Sequence, residues 1–231
     1  MGSMKTGIVI LLSILVNLVN YVIITTIVDS ILMGALHLHF STKCRKKEIV
    51  ITKANRIDLQ DGYQCSAFSS AYILRHWDIE AHGDHLYEVI PNKMKDGCVY
   101  PKGILNLLSR YGFKAKYCAG NIAALKNEVS KGNPVIVMIR GPADKNWLHY
   151  VPVVGYDEQS IFIAESLADF VNSDEQYYNR KISVKEFQRL WNTSMLKMPF
   201  YRNTYITISE PTHTERSLNR CHPKTAPENR T

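Results

Sequence analysis

Residues 60–77, QDGYQCSAFSSAYILRHW, set a cysteine directly ahead of a run with helical periodicity. From Ser66 to Trp77 apolar side chains recur at the spacing of one helix face, so Cys65 is expected at the helix start. Unpaired N–H groups and the positive end of the helix dipole stabilise an anionic sulfur there. A main-chain amide is also available to a developing oxyanion. Buried cysteines are common as small apolar residues, so this stretch gains chemical meaning only with a base to serve it.

A base is available far along the chain. His149 opens the extended segment HYVPVVGY, residues 149–156, and a second extended segment, SIFIA, follows at 160–164. If the two form a hairpin with Tyr156-Asp157-Glu158 as a three-residue loop, Gly155 pairs with Gln159 and Glu165 stands directly opposite His149. Opposed residues hold their Cβ atoms about 4.5–5.5 Å apart, close enough for a carboxylate to accept from one imidazole nitrogen. A two-residue loop would turn Glu165 to the other face, where it would be an ordinary solvated strand-end charge. Asp157 suits a turn. Trp147, two residues before His149, suits either the wall of a cleft or the core.

Further helices are expected at Asp84–Ile90, at Pro101–Tyr111, closed by Gly112, and at Asn121–Lys131, with Asn121 as N-cap. Ser183–Asn192 is expected to open with a capping box of Ser183 and Glu186. Strands are expected at 134–140, 149–156, 160–164 and 200–208, with Phe113–Cys118 as an additional candidate. A helical lobe followed by an antiparallel sheet is an α+β arrangement.

The ends of the chain differ from this centre. Gly7–Val28, GIVILLSILVNLVNYVIITTIV, is 22 residues without a charge, long enough to span a hydrocarbon core. It exceeds the apolar stretch of a signal peptide, about 7–15 residues, and no clean small-x-small site follows it. We therefore expect residues 1–47 to form a retained single-pass membrane anchor with a basic flank, 48–209 the folded domain, and 210–231 a disordered polar tail. Lys43, Arg45, Lys46 and Lys47 follow the run while only Lys5 precedes it, which places the domain on the cytoplasmic side.

Residues 48–209 hold 19 Lys/Arg against 17 Asp/Glu, a balance without the electrostatic footprint of a nucleic-acid binder. Five cysteines, Cys44, Cys65, Cys98, Cys118 and Cys221, are odd in number and contain no C-x-x-C pair. A disulfide framework is not expected, nor is a metal or other cofactor.

Taken together, Gln60-x4-Cys65, a helix carrying Ala67, Ser70 and Tyr72, then HYVPVVGYD from His149 and an acid 16 positions after that histidine resemble the papain-like double-glycine peptidases. These are the bacteriocin-processing cysteine peptidases, family thirty-nine in the usual classification, with their stand-alone relatives. The resemblance covers roughly Ile49 to Ser209. It implies a papain-like fold in which Cys65 is the nucleophile, His149 the general base and acid, Glu165 its orienting partner, and Gln60 an oxyanion donor beside the Cys65 amide. The family usually has Asp or Asn, commonly followed by Pro, where this chain has Glu165-Ser166.

The implied substrate is a peptide or protein, leader peptides included. With no P-loop and too few spans for an exporter, this chain would work with a separate export transporter or act on other peptides altogether. Two other readings carry different consequences: a catalytically silent module that binds peptides or docks to a transporter, and a Cys/His amidase or transpeptidase sharing the thioester but not the acceptor.

Overall fold

The computed structural model of the protein describes residues 2–141, 147–193 and 202–209. A long helix, α1 (Gly2–Met33), precedes β1 (Leu36–His39) and the short β2 (Ile49–Val50). The helical half follows: α2 (Cys65–His76), α3 (Gly83–Val89) and α4 (Pro101–Arg110). The sheet half is β3 (Lys114–Gly120), α5 (Ile122–Val129), β4 (Val135–Arg140), β5 (Leu148–Tyr156), β6 (Ser160–Ile163), β7 (Arg180–Ser183), α6 (Val184–Trp191) and β8 (Thr204–Ser209). The α+β arrangement expected from the sequence is the one found.

Local chemistry sets most boundaries. Pro101 opens α4, and Gly112, at φ 86°, closes it in the left-handed conformation that favours glycine. Asn121 caps α5 by accepting from the Ala124 N–H at 3.0 Å. Ser183 caps α6 by accepting from the Glu186 N–H. Glu186 itself turns to Arg189, so only half of the expected capping box forms.

The strands run β1-β3-β8-β4-β5-β6-β7, with β2 on β5, and every pairing is antiparallel except β1 with β3. One core cluster gathers Ile73, Leu74, Ile104, Leu107, Leu108 and Tyr117 between α2, α4 and the sheet. A second gathers Leu125, Val137, Val151, Ile163, Phe187 and Trp191 under α5 and α6. The sheet is thus covered on both faces, which is why β4 and β5 are almost continuously apolar rather than alternating.

Three strands escape the sequence patterns: β1, β2 and β7, of four, two and four residues. β1 lies ahead of the 48–209 span expected for the domain and pairs with β3 from Leu36↔Tyr117 to His39↔Gly120. The last strand begins at Thr204, not at 200, and residues 200 and 201 lie outside the described residues. The 210–231 tail, with Cys221, also lies outside them.

α1 contains a 23-residue stretch, Thr6–Val28, long and apolar enough to cross a membrane, and none of it is buried against the rest of the chain.

Candidate active site

The cysteine occupies the first position of α2. Residues 66–76 of that helix are all buried, so α2 is the central helix of its lobe and only its N-terminal end reaches the surface. No side chain of Gln64 caps it. Instead the Gln64 N–H donates to Oε1 of Gln60 at 2.8 Å, and the Ala67 N–H returns to the Gln64 carbonyl at 2.9 Å.

Gln60 is 6% exposed and tied on both sides of its amide. Its main-chain N–H donates to the Ser166 carbonyl and its Nε2 donates to the Ser166 hydroxyl, both at 2.8 Å. One Nε2 hydrogen remains for another acceptor. The segment leading to Gln60 is anchored by Arg75 of α2. This guanidinium pairs with Asp58 at 3.0 Å and donates to the carbonyls of Arg56 and Ala81 and to the Asn55 side chain.

His149 lies in β5 opposite Ile139 and is 1% exposed. Its Nε2 meets Oε1 of Glu165, which is fully buried, at 2.6 Å. The Ser69 hydroxyl of α2 donates to the Tyr150 carbonyl at 2.9 Å, fastening the helix that Cys65 opens to the strand beside the histidine. Trp147 stands edge-on to the imidazole, ring centroids 5.4 Å apart, and stacks on Phe170. Trp147 is half-buried and belongs to none of the core clusters. Tyr178, unexplained by the sequence, stacks on Phe162 at 4.4 Å.

The pair forms by a route different from the expected hairpin. Tyr156 pairs with Ile161 across a four-residue connection in which Asp157 accepts from the Gln159 and Ser160 N–H groups. That odd register would turn Glu165 to the wrong face. A bulge between Val153 and Gly155 shifts it by one, so that Val153 pairs with Ile163, and the Ala164 N–H donates to the Pro152 carbonyl at 3.0 Å. Continued along the strands, this register sets Glu165 beside Val151, diagonal to His149 rather than opposite it. Diagonal Cβ atoms are about 7–8 Å apart, a gap that a long carboxylate side chain bridges.

Glu165 is held more tightly than the sequence suggests. Oε1 also accepts from the Leu167 N–H at 2.9 Å, and Oε2 accepts from Arg180 at 2.7 Å. The Asn179 side chain brackets its main chain, accepting from the Glu165 N–H at 2.7 Å and donating to its carbonyl at 2.8 Å. The Arg180 guanidinium rests over the Phe170 ring. Ser166, Asn179 and Arg180 carry no periodicity or motif that would single them out from the sequence alone.

Burial disfavours a charged imidazole, but the Glu165 carboxylate, with a further contribution from the neighbouring Cys65 thiol, outweighs it and pushes the His149 pKa up to about 9. Burial likewise opposes the Glu165 charge, but His149, then Arg180 and the Leu167 N–H, hold its carboxyl below the usual range. Nδ1 of His149 makes no hydrogen bond of good geometry among the described residues. The Cys65 thiol is a neighbour of the ring, and such contacts are often loose before substrate is bound.

The four residues singled out from the sequence are therefore gathered at one place, linked through Ser166 and the α2 start. A cleft open to solvent lies beside His149, lined by Phe170, Arg140, Arg180, Arg189 and their neighbours, with neither Cys65 nor Gln60 in its lining.

Residues 49–195 match the Peptidase_C39 like family. Among solved structures, a putative C39-like peptidase from Bacillus anthracis superposes with a TM-score of 0.55 at 17% identity, covering 71% of this chain and 98% of that one. The peptidase domain of Streptococcus ComA, a bi-functional ABC transporter involved in a quorum sensing pathway, gives 0.52 at 14% identity, covering 68% and 99%. At such identities the likeness is one of fold, here the papain-like α+β fold. No curated protein matches the chain.

Proposed function

This chain belongs to the Peptidase_C39 like family, and we propose that its papain-like domain is an active cysteine peptidase working through Cys65, His149, Glu165 and Gln60. The observation that carries the reading is the buried His149–Glu165 pair at 2.6 Å, beside a cysteine that opens the central helix. In this scheme the Cys65 sulfur attacks the peptide carbonyl. The resulting oxyanion takes hydrogen bonds from the Cys65 amide and the remaining Gln60 Nε2 hydrogen. Collapse to a thioester proceeds with His149 donating a proton to the departing amine, and His149 then takes a proton from the water that hydrolyses the thioester. Glu165 keeps the imidazole oriented throughout.

Alkylation by iodoacetamide, followed by mass spectrometry of the full chain in detergent, tests this. Cys65 is expected to be modified faster than Cys98 and Cys118, both of whose thiols burial pushes up, and to lose that advantage in His149→Ala. Equal, slow labelling of all three cysteines favours a silent peptide-binding module. Cleavage of a peptide panel by the wild type and not by Cys65→Ala establishes the nucleophile, and product analysis separates hydrolysis from transfer to another amine.

We further infer that leader-type peptides delivered with a separate export transporter are the substrates, in keeping with the family. α1 would span the membrane with the peptidase domain on the cytoplasmic side, following the basic residues after it. Labelling of Ser217→Cys by an impermeant maleimide in intact cells would overturn that orientation.

A further inference from the structure

α1 does not end in a flexible linker. Met33, its last residue, is 5% exposed within the core cluster of α2 and α4, and the Lys102 ammonium of α4 donates to the Ile31 carbonyl at 2.8 Å. Gly34 turns the chain at φ 93° against Leu105, and β1 begins two residues later. The domain is thus fixed to the end of the apolar helix.

The segment that follows has two unusual properties. β1 is the terminal strand of the sheet, so one of its edges is open, and it carries Leu38 at 74% exposure with Phe40 just beyond at 66%. Residues 42–48 are then all exposed and include Lys43, Arg45, Lys46 and Lys47.

This basic stretch is held in place by its backbone. Asn127 donates to the Lys43 carbonyl at 2.8 Å and accepts from the Arg45 N–H at 2.7 Å, and the Tyr156 hydroxyl donates to the Lys46 carbonyl at 3.2 Å. The main chain is tied to the domain while the cationic side chains are exposed to solvent. Lys47 lies 3.5 Å from Glu158, a pair open to solvent, and Lys43, Arg45 and Lys46 make no ion pair among the described residues.

We propose that this edge is a bilayer-docking surface: Leu38 and Phe40 enter the interfacial layer while Lys43, Arg45, Lys46 and Lys47 face anionic lipid headgroups. The inference rests on the reading of α1 as a membrane span. Given that span, Leu38 is five residues from the helix end, at most about 18 Å of fully extended chain, so it cannot leave the neighbourhood of the membrane. Exposed apolar residues flanked by cations are what an anionic interface accommodates. A peptidase docked this way would hold its cleft at a fixed height and orientation over the membrane.

The test uses the full chain reconstituted in phosphatidylcholine vesicles with and without phosphatidylglycerol. Its five cysteines are replaced by serine, and a single NBD-labelled cysteine is placed at Leu38, Phe40 or, as an exposed control, Asp174. Far-UV circular dichroism matching the wild type establishes folding. The expected result is blue-shifted emission and quenching by doxyl-labelled lipid at 38 and 40 but not at 174. Both effects should weaken without phosphatidylglycerol, at about 1 M salt, where the screening length is about 3 Å, or when the four basic residues become Gln.

Labels at 38 and 40 that remain as water-exposed as the control overturn the proposal. Disulfide cross-linking between chains at Leu38→Cys would then assign the open edge to a second copy. A chain that alkaline carbonate extracts from the vesicles overturns the membrane reading itself, and is recognised before any fluorescence is measured.

Discussion

Glu165 sits between two cations, His149 on Oε1 and Arg180 on Oε2, and this shared carboxylate sets how firmly the imidazole holds its proton. His149 is raised to about 9 in the folded protein, so the charged ring persists through neutral pH and loses its proton as pH rises through that value. Replacing Glu165 by Gln removes the anion that opposes desolvation, and the midpoint is expected to fall toward or below the ordinary 6.5. Replacing Arg180 by Gln removes a competing cation, and the midpoint should rise. An NMR titration of the His149 ring in the three proteins checks the opposite signs; a wild-type midpoint near 6.5 would refute the account. The oxyanion side has its own test. Gln60→Ala should lower kcat by about 10²–10³-fold with little change in KM, the usual effect of losing one oxyanion donor. Ser166→Ala, which only frees the Gln60 amide, should cost less. Equal kcat values for Gln60→Ala and the wild type would remove Gln60 from the mechanism.

Among the elements, β7 is the one whose purpose emerges only from the fold. It is four residues long, alternates weakly and carries Arg180 and Lys181, so nothing in its pattern separates it from a loop. Yet its pairing with β6, Ile163↔Arg180 to Ser160↔Ser183, is what brings Asn179 and Arg180 against Glu165. Asn179→Ala deletes both hydrogen bonds that bracket the Glu165 main chain. A loss of about 1–3 kcal/mol in denaturant unfolding is expected, at about 0.5–1.5 kcal/mol per hydrogen bond. Activity should fall through kcat more than KM, and an unchanged kcat would mean that the bracket is structural only. The long periodic helices and the apolar strands β4 and β5 are legible in residue spacing alone, because burial leaves strong local patterns, whereas no local spacing ties Cys65 to His149, which stands far along the chain. The β5–β6 register is not legible. It depends on a bulge at Val154, which Pro152 and Gly155 on either side allow without fixing its position, and the expected His149–Glu165 proximity is reached through a diagonal rather than a direct pairing. β1 is hidden for a different reason: it follows an apolar run so closely that LHLH looks like the run's continuation.

At the scale of the whole molecule, the position of β1 decides where the peptidase domain begins. A domain cut at residue 48 would lose β1 and leave the outer edge of β3, from Tyr117 to Gly120, unpaired. It would also lose Met33 and Leu36 from the core cluster over α4. An unpaired strand edge is a template for association, and removal of the buried Met33 side chain costs about 2–5 kcal/mol. A chain starting at Met33 keeps all of these contacts while shedding the apolar span. Comparing 33–231 with 48–231 therefore separates the two boundaries: the longer chain is expected to be monomeric in size-exclusion chromatography, the shorter to unfold at lower temperature and to self-associate. Equal melting temperatures and equal monodispersity would show that β1 is dispensable to the domain. The expected difference would instead mean that the chain's route from α1 into the sheet, through Met33, Gly34 and β1, is part of the fold of the domain.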